Sequence, residues 1–376
     1  MGSSRSKDDN IDLFVQTNKP YYVAGEYVEG CVFLNAKTAR QYSNLTLYVR
    51  GLEYVYWSEG SGKNRRTYRN KYESYNSFFL MNDFRGNVPQ GQYAYPFAFL
   101  LPAMMNGSFY YSNNCFIKYS LVVELVHPTE DKHTQTFEMF LNIMEPPRMQ
   151  LGAAAISQTT NSKCCGCCAD YGTTTVNMTC DKNFVLNGDT IQVNGVIDHS
   201  RGTEDIKNCT IMLEEKRVMI SSGGHTRHHT DRSWAMHGIN NQINKGETKN
   251  FQFTNTIPND ITSYTAIGRV TARYFVLHLY TVYGCCANTA YAQLHLIVHS
   301  RNPRLMTNPQ LNPPQMWHPN TFPQIVNQNM KPFVLSPLPQ IPVANMPGQT
   351  VIANMNANMN TGGYDQPNQG YGQQMQ

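Results

Sequence analysis

KPYYVAGEYV at residues 19–28 and KNFVLNGDTI at residues 182–191 are the same phrase written twice. Each has a lysine, one residue, an aromatic (Tyr21, Phe184), three residues, a glycine (Gly25, Gly188), an acid (Glu26, Asp189), one residue and a β-branched side chain (Val28, Ile191). The spacing predicts a strand, a tight turn that needs glycine, and a second strand. The correspondence continues downstream in the same order. Phe97-Ala-Phe99 with Leu101-Pro102 parallels Phe251-Gln-Phe253 with Ile257-Pro258, and Tyr119-Ser-Leu-Val parallels Tyr274-Phe-Val-Leu. Duplication at a period of about 160 residues predicts two tandem domains rather than a solenoid.

Working outward, residues 11–148 alternate apolar and polar side chains at period two, as in Leu45–Val49 and Tyr119–Leu125, with turn residues at the spacing of a β-sandwich. No stretch keeps a helical apolar period over three turns. Glu145-Pro-Pro-Arg148 breaks the pattern, and 149–171 reads as a polar linker carrying a cysteine cluster. A second strand-rich block covers 172–300. Residues 274–300 lack Asp, Glu, Lys and Arg, but the recurring His278, Gln293, His295 and His299 and the break at 284–288 predict a buried hairpin rather than a membrane span. Residues 301–376 hold one acid, Asp365, and three bases, Arg301, Arg304 and Lys331, amid Asn, Gln, Pro and Met; this composition predicts a disordered tail. Pro339-Gln-Ile-Pro342 reads as a spacer before it reads as an SH3-type ligand. The expected fold class is therefore all-β: two antiparallel, immunoglobulin-like sandwiches with flexible ends at 1–10 and 301–376.

A net charge of +4 on 376 residues gives no global nucleic-acid electrostatics. The ten cysteines are clustered and no signal-peptide pattern precedes Asp12, so the reading is a cytoplasmic chain with reduced thiols. The sequons at Asn44, Asn106, Asn177 and Asn208 are then inert. No phosphate loop, nucleophile elbow or metalloprotease helix is present. The expectation is a non-enzyme with no cofactor, no small-molecule substrate and no nucleic-acid partner.

Three constellations carry candidate chemistry. Met-Gly-x-x-x-Ser, with Gly2 and Ser6, fits an N-myristoylation acceptor; a polar terminus or a tag remnant gives a similar start. Lys63, Arg65, Arg66, Arg69 and Lys71 place five positive charges in nine residues, suited to an anionic lipid surface or to a solvated hairpin tip. Cys164, Cys165, Cys167 and Cys168 suit S-palmitoylation, a boundary strand, or zinc; zinc would draw Cys164 and Cys167 together with Cys285 and Cys286. His225, His228 and His229 fall on opposite strand faces and make no shared site, and Asp170 and Asp181 read as turn residues.

The paired Gly-acid turns, Gly51-Leu-Glu53 with Trp57, Pro96-Phe97 with Leu101-Pro102 and Ser108-Phe109, and Gly188-Asp189 with Ile257-Pro258 resemble the arrestin superfamily over about residues 11–300, most closely the α-arrestins, or arrestin-domain-containing proteins. That resemblance implies a cytosolic adaptor that binds receptors or transporters and directs their sorting or endocytosis, peripheral on plasma membrane or endosome. The chain departs from the family in its output motifs. Pro313-Pro314-Gln315-Met316 and Pro146-Pro147-Arg148-Met149 lack the tyrosine of a Pro-Pro-x-Tyr motif, no clathrin box is present, and Leu13–Lys19 holds one lysine where phosphate-sensing members pair two. Other readings are a stable retromer-like sorting subunit and a cysteine-based metal or redox sensor.

Overall fold

The structure is a computed structural model that describes residues 8–147, 151–163, 170–239, 242–283, 290–301, 303–304, 320–321 and 325–326. The first domain holds β1 (Ile11–Thr17), β2 (Tyr22–Val23), β3 (Tyr27–Ala36), β4 (Asn44–Glu59), β5 (Arg66–Asp83), β6 (Gly91–Leu100), β7 (Phe109–Ser112), β8 (Cys115–Val126), β9 (Gln135–Leu141) and β10 (Ile143–Met144). The second holds β11 (Ala154–Lys163), β12 (Asp170–Cys180), β13 (Phe184–Leu186), β14 (Thr190–Gly202), β15 (Asn208–Ile220), β16 (Thr226–Ile239), β17 (Thr248–Thr256), β18 (Ala266–Ile267), β19 (Thr271–Val282) and β20 (Tyr291–His299). Two short fragments follow, β21 (Asn320–Thr321) and β22 (Ile325–Val326).

Each domain is two sheets face to face. In the first, β1-β3-β6 packs on β5-β4-β8-β7 with β9 also on β8; in the second, β11-β12-β14-β17 packs on β13-β20-β19-β15-β16 with β18 on β19. Period two sets what faces inward: Leu45, Leu47, Val49, Val55 and Trp57 of β4 are all buried, as are Ile211, Leu213, Phe275, Leu277 and Leu279 of β15 and β19.

The repeated phrase folds the same way twice. Gly25 and Gly188 both adopt positive φ, +93° and +83°, where an L side chain is strained. The acid that follows caps the turn in both copies: Glu26 accepts from the Val23 N–H (3.0 Å) and Asp189 from the Leu186 N–H (2.9 Å). The preceding strand then adds in parallel to the domain's last strand, β2 on β10 and β13 on β20. Likewise Gly30 lies opposite Phe97 and Gly195 opposite Phe251, so each Phe-x-Phe motif lays its first ring over a glycine.

The hairpin expected over 274–300 is present as β19 and β20. Two expectations are corrected. The segment 149–171 is not simply a linker, because β11 pairs with β12 from Ala154 to Lys163. Its inward face begins with Ala154 and Ile156 but continues with Gln158, Thr160 and Ser162, so apolar alternation stops after the first turn of the pleat. The segment 301–376 is not without structure throughout, because β21 and β22 join the first domain's sheet in parallel with β6.

Candidate functional site

The two domains meet along a buried polar seam. Glu53 lies on β4 in phase with the core series and is fully buried. One carboxylate oxygen accepts from Asn106 Nδ2 (3.0 Å) and the other from the Val270 N–H of the second domain (2.9 Å). Gly268 permits this approach, since a Cβ there would overlap the carboxylate. Glu145 repeats the device, accepting from the Gly107 N–H (3.1 Å) on its own side and the Ile267 N–H (2.8 Å) across the seam. Ser108 Oγ contacts Tyr264 OH at 3.1 Å, and Cys115 Sγ lies 3.3 Å from Thr271 Oγ1.

From the other side come two arginines. Arg217 on β15 donates twice to Asp231 (2.9 and 2.8 Å), and its guanidinium lies 3.5 Å from the ring centre of Tyr111. Burial works against its charge, but the Asp231 carboxylate outweighs burial and leaves the Arg217 pKa raised. Arg273 donates from Nε to the Tyr264 carbonyl (2.9 Å) and sits over Phe109 at 5.1 Å, with Glu215 at 3.8 Å. Burial lowers its pKa, and Glu215 opposes that shift. Strand β7 thus lays Phe109 over the half-buried Arg273 and Tyr111 over the buried Arg217 of the second domain. Charge-assisted bonds in this largely buried seam favour one relative orientation, because parting the domains strands several charges and donors at once.

The basic hairpin sits at the end of this seam. A 3-10 turn, Gly62–Asn64, joins β4 to β5. Lys63, Arg65, Arg66, Arg69 and Lys71 are all exposed. Tyr68, Asn70 and Tyr72, on the alternate face of β5, turn toward the second domain. Tyr68 packs on His225 (4.9 Å) and, on its other side, on Trp57 (5.0 Å). Asn70 Nδ2 donates to the Ile220 carbonyl (3.1 Å), and Arg269 sits over Tyr72 (4.6 Å). The hairpin is therefore braced on one face and presents its cations on the other. Lys71 lies 3.2 Å from Glu73 and Arg66 is registered opposite Glu59, which leaves Lys63, Arg65 and Arg69 as its least compensated charges.

Gly2 and Cys164, Cys165, Cys167, Cys168, Cys285 and Cys286 lie outside the described residues. The described residues bordering the two thiol runs do meet: Ser162 Oγ donates to Tyr283 OH (3.3 Å), and Thr174 Oγ1 joins Tyr283 (3.0 Å) and His199 Nδ1 (2.8 Å). Among the described cysteines, burial pushes the Cys31 and Cys209 thiols up to about 12 and Cys180 to about 11, so these are packed thiols rather than nucleophiles. Among the described residues no three His, Cys, Asp or Glu side chains group as metal ligands. His225, His229 and His237 go separate ways, to Tyr68, Asp231 and Phe253. Asp181 accepts from the Gln192 N–H in a bend, whereas Asp170 opens β12. No helix of the described residues is long and apolar enough to cross a membrane.

Sequence reading found Glu53 only as part of a motif and missed Glu145, Arg217, Asp231, Tyr264 and Arg273. A signal for Glu53 existed: it is an acid in phase with Leu47, Val49, Val55 and Trp57.

Two sandwiches joined by such a seam define a two-domain scaffold. The family descriptions agree: residues 11–149 match the arrestin (or S-antigen) N-terminal domain and residues 170–303 the arrestin (or S-antigen) C-terminal domain. The chain belongs to the arrestin superfamily and is of the α-arrestin type. It is 24% identical over 148 residues to Arrestin domain-containing protein A of Dictyostelium discoideum; that match covers 34% of this chain and 26% of the relative. Membership carries an adaptor or scaffold role in general, in a family whose proteins are generally non-enzymatic and bind membrane-protein cargo.

Proposed function

We propose that this protein is a cytoplasmic adaptor that works at a membrane surface, binding cytoplasmic segments of membrane proteins and directing their trafficking or endocytosis. The observation that carries the reading is the braced basic hairpin. A family scaffold holds Lys63, Arg65, Arg66, Arg69 and Lys71 outward on a hairpin whose β5 strand is fastened by its other face to the second domain. Like charges at this density repel one another and gain only from an anionic counter-surface, at about 1 kcal/mol per basic residue near such a surface. A myristoyl chain on Gly2 would supply marginal, reversible attachment, and stable residence needs a second signal. The hairpin is that signal here, with palmitoylation at Cys164, Cys165, Cys167 or Cys168 a further one.

The test is membrane fractionation with alkyne-myristate labelling of wild type, Gly2→Ala, and a variant with the five hairpin cations changed to Gln. Label on wild type and on the hairpin variant but not on Gly2→Ala, with both variants shifted to the soluble fraction, supports the two-signal anchor. Unlabelled wild type overturns the lipid component. A hairpin variant that pellets like wild type overturns the role of the cations.

A further inference from the structure

We propose that the outer face of β5 is a lipid-contacting surface: Phe78 and Leu80 enter the headgroup boundary of an anionic membrane, while cations further along the same strand meet its phosphates. This deepens the membrane reading and rests on it, adding an apolar contact to the electrostatic one. β5 is an edge strand, paired with β4 alone. Its buried Tyr75, Ser77, Phe79 and Met81 alternate with exposed Asn76, Phe78 and Leu80. A solvated face should take the polar side chains, yet Ser77 points inward while Phe78 and Leu80 point out, 67% and 53% exposed. Phe78 is the most exposed large apolar side chain among the described residues.

A bulge puts these side chains on the same face as the cations. Along β4, Thr46, Tyr48 and Arg50 stand opposite Leu80, Phe78 and Asn76, and Leu52, Tyr54 and Tyr56 stand opposite Glu73, Lys71 and Arg69. β5 carries one extra residue, Ser74, between those two sets. Strict alternation would send the even-numbered Phe78 and Leu80 to one face and the odd-numbered Arg69 and Lys71 to the other; the bulge brings all four together. Gly51 admits it, since a Cβ there would strike Ser74 Oγ.

The face has the chemistry of a lipid interface. Phe78 packs on Tyr48 (6.0 Å), Arg50 covers the same Tyr48 ring (4.5 Å), and Tyr54 and Tyr56 continue the line, as aromatic side chains do at headgroup depth. Residues 74–82 hold no Asp, Glu, Lys or Arg. The acids on this face of β5 and β8 are answered locally, Glu73 by Lys71 (3.2 Å) and Glu124 by Arg50 (3.5 Å). Arg69, with Lys63 and Arg65 of the adjoining hairpin, is left to an anionic counter-surface. Arg69 and Phe78 are about 30 Å apart along the strand, so one membrane meets both only when β5 lies along its plane.

The experiment uses the full chain, made in a host that adds no acyl group, and vesicles of phosphatidylcholine alone or with about 40% phosphatidylserine. Wild type is compared with the double variant Phe78→Ser/Leu80→Ser, with Leu80→Trp, and with the variant whose five hairpin cations are Gln. Wild type should pellet with the anionic vesicles, and the hairpin variant should not. The double variant should bind them at least about tenfold more weakly, through lost apolar burial at the headgroup boundary. Leu80→Trp enlarges that contact and should bind at least about threefold more tightly, a gain that misfolding would not produce. A double variant and a Leu80→Trp chain that both bind like wild type overturn the apolar contact and leave the electrostatic reading standing. A wild type that ignores anionic vesicles overturns both. A wild type that sediments as a dimer, with the double variant a monomer and vesicle binding unchanged, gives the face to a second copy and overturns the proposal.

Discussion

The two domains are copies in plan and differ at their edges and in what they bury. β6 and β17 are equivalent strands carrying the Phe-x-Phe motif, yet β6 reads GQYAYPFAFL and β17 reads TKNFQFTNT. The polar β17 tolerates an outer edge in water, whereas the apolar β6 is paired on both sides. The burial of charge also differs. The first domain sends carboxylates, Glu53 and Glu145, into the seam, and the second answers with backbone N–H groups and the cations Arg217 and Arg273. The shared plan gives two stable sandwiches; the differences give one scaffold with a fixed seam, a cationic face and one guarded edge.

The largest expected effect strikes this asymmetry. Asp231→Ala leaves Arg217 buried beneath Tyr111 without its carboxylate, and should lower unfolding stability by about 3–5 kcal/mol in urea melts. Tyr111→Ala, at a ring 54% exposed, should cost under about 1 kcal/mol. Equal losses would mean that the arginine is held by the aromatic strand rather than by its own domain.

Next come the matched glycines. A Cβ at Gly30 would strike the Gln16 carbonyl and the Phe97 ring; at Gly195 it would strike the Phe251 ring and the Asn177 carbonyl. Each Gly→Ala change should cost up to about 3 kcal/mol through overpacking against backbone that cannot swing aside. A loss in one domain and none in the other would break the structural equivalence of the two motifs.

Acid should separate the domains further. Burial lowers the His299 pKa to about 4, and burial with the Lys216 charge does the same to His295. Both lie in the second domain. Their unfolded forms take up protons near the ordinary value of 6.5 while the folded forms resist until about 4, so the unfolded state binds more protons between those limits. Stability is therefore complete above about pH 6.5 and falls as pH drops toward 4. The slope is about 1.4 kcal/mol per pH unit per histidine, or about 2 kcal/mol for His299 by pH 5. His295 is partly exposed and should contribute less. His299→Gln should flatten the profile measured by urea midpoints, and a profile it leaves unchanged would assign the acid sensitivity elsewhere.

The duplicated turns, the Phe-x-Phe strands and the β19–β20 hairpin were legible because each is local: a period of two or a glycine at a turn needs no knowledge of the rest of the chain. The seam was not. Alternation says that Arg217 and Arg273 share a strand with apolar neighbours, but not that a second domain covers them. β11 escaped because only Ala154 and Ile156 of its inward face are apolar; Gln158, Thr160 and Ser162, which follow on that face, are polar, and Ser162 bonds to Tyr283. β21 and β22 escaped because strand addition uses backbone, which composition does not record.

The smallest effect tests the repeated phrase itself. Glu26 and Asp189 each accept one backbone N–H three residues back, from Val23 and from Leu186. Each also makes a partly exposed ion pair, with Lys19 (3.4 Å) and with Arg301 (2.5 Å). Exposed pairs contribute little, whereas a half-buried N–H left unpaired costs about 1 kcal/mol. Glu26→Ala and Asp189→Ala should therefore each lose about that much. Glu26→Gln and Asp189→Asn keep an accepting oxygen and should stay within about 0.5 kcal/mol of wild type. If the amides cost as much as the alanines, charge rather than the turn bond is what the motif supplies. The lysine that opens each copy would then matter more than the glycine, even though Lys182 donates instead to the Thr190 carbonyl at 2.8 Å.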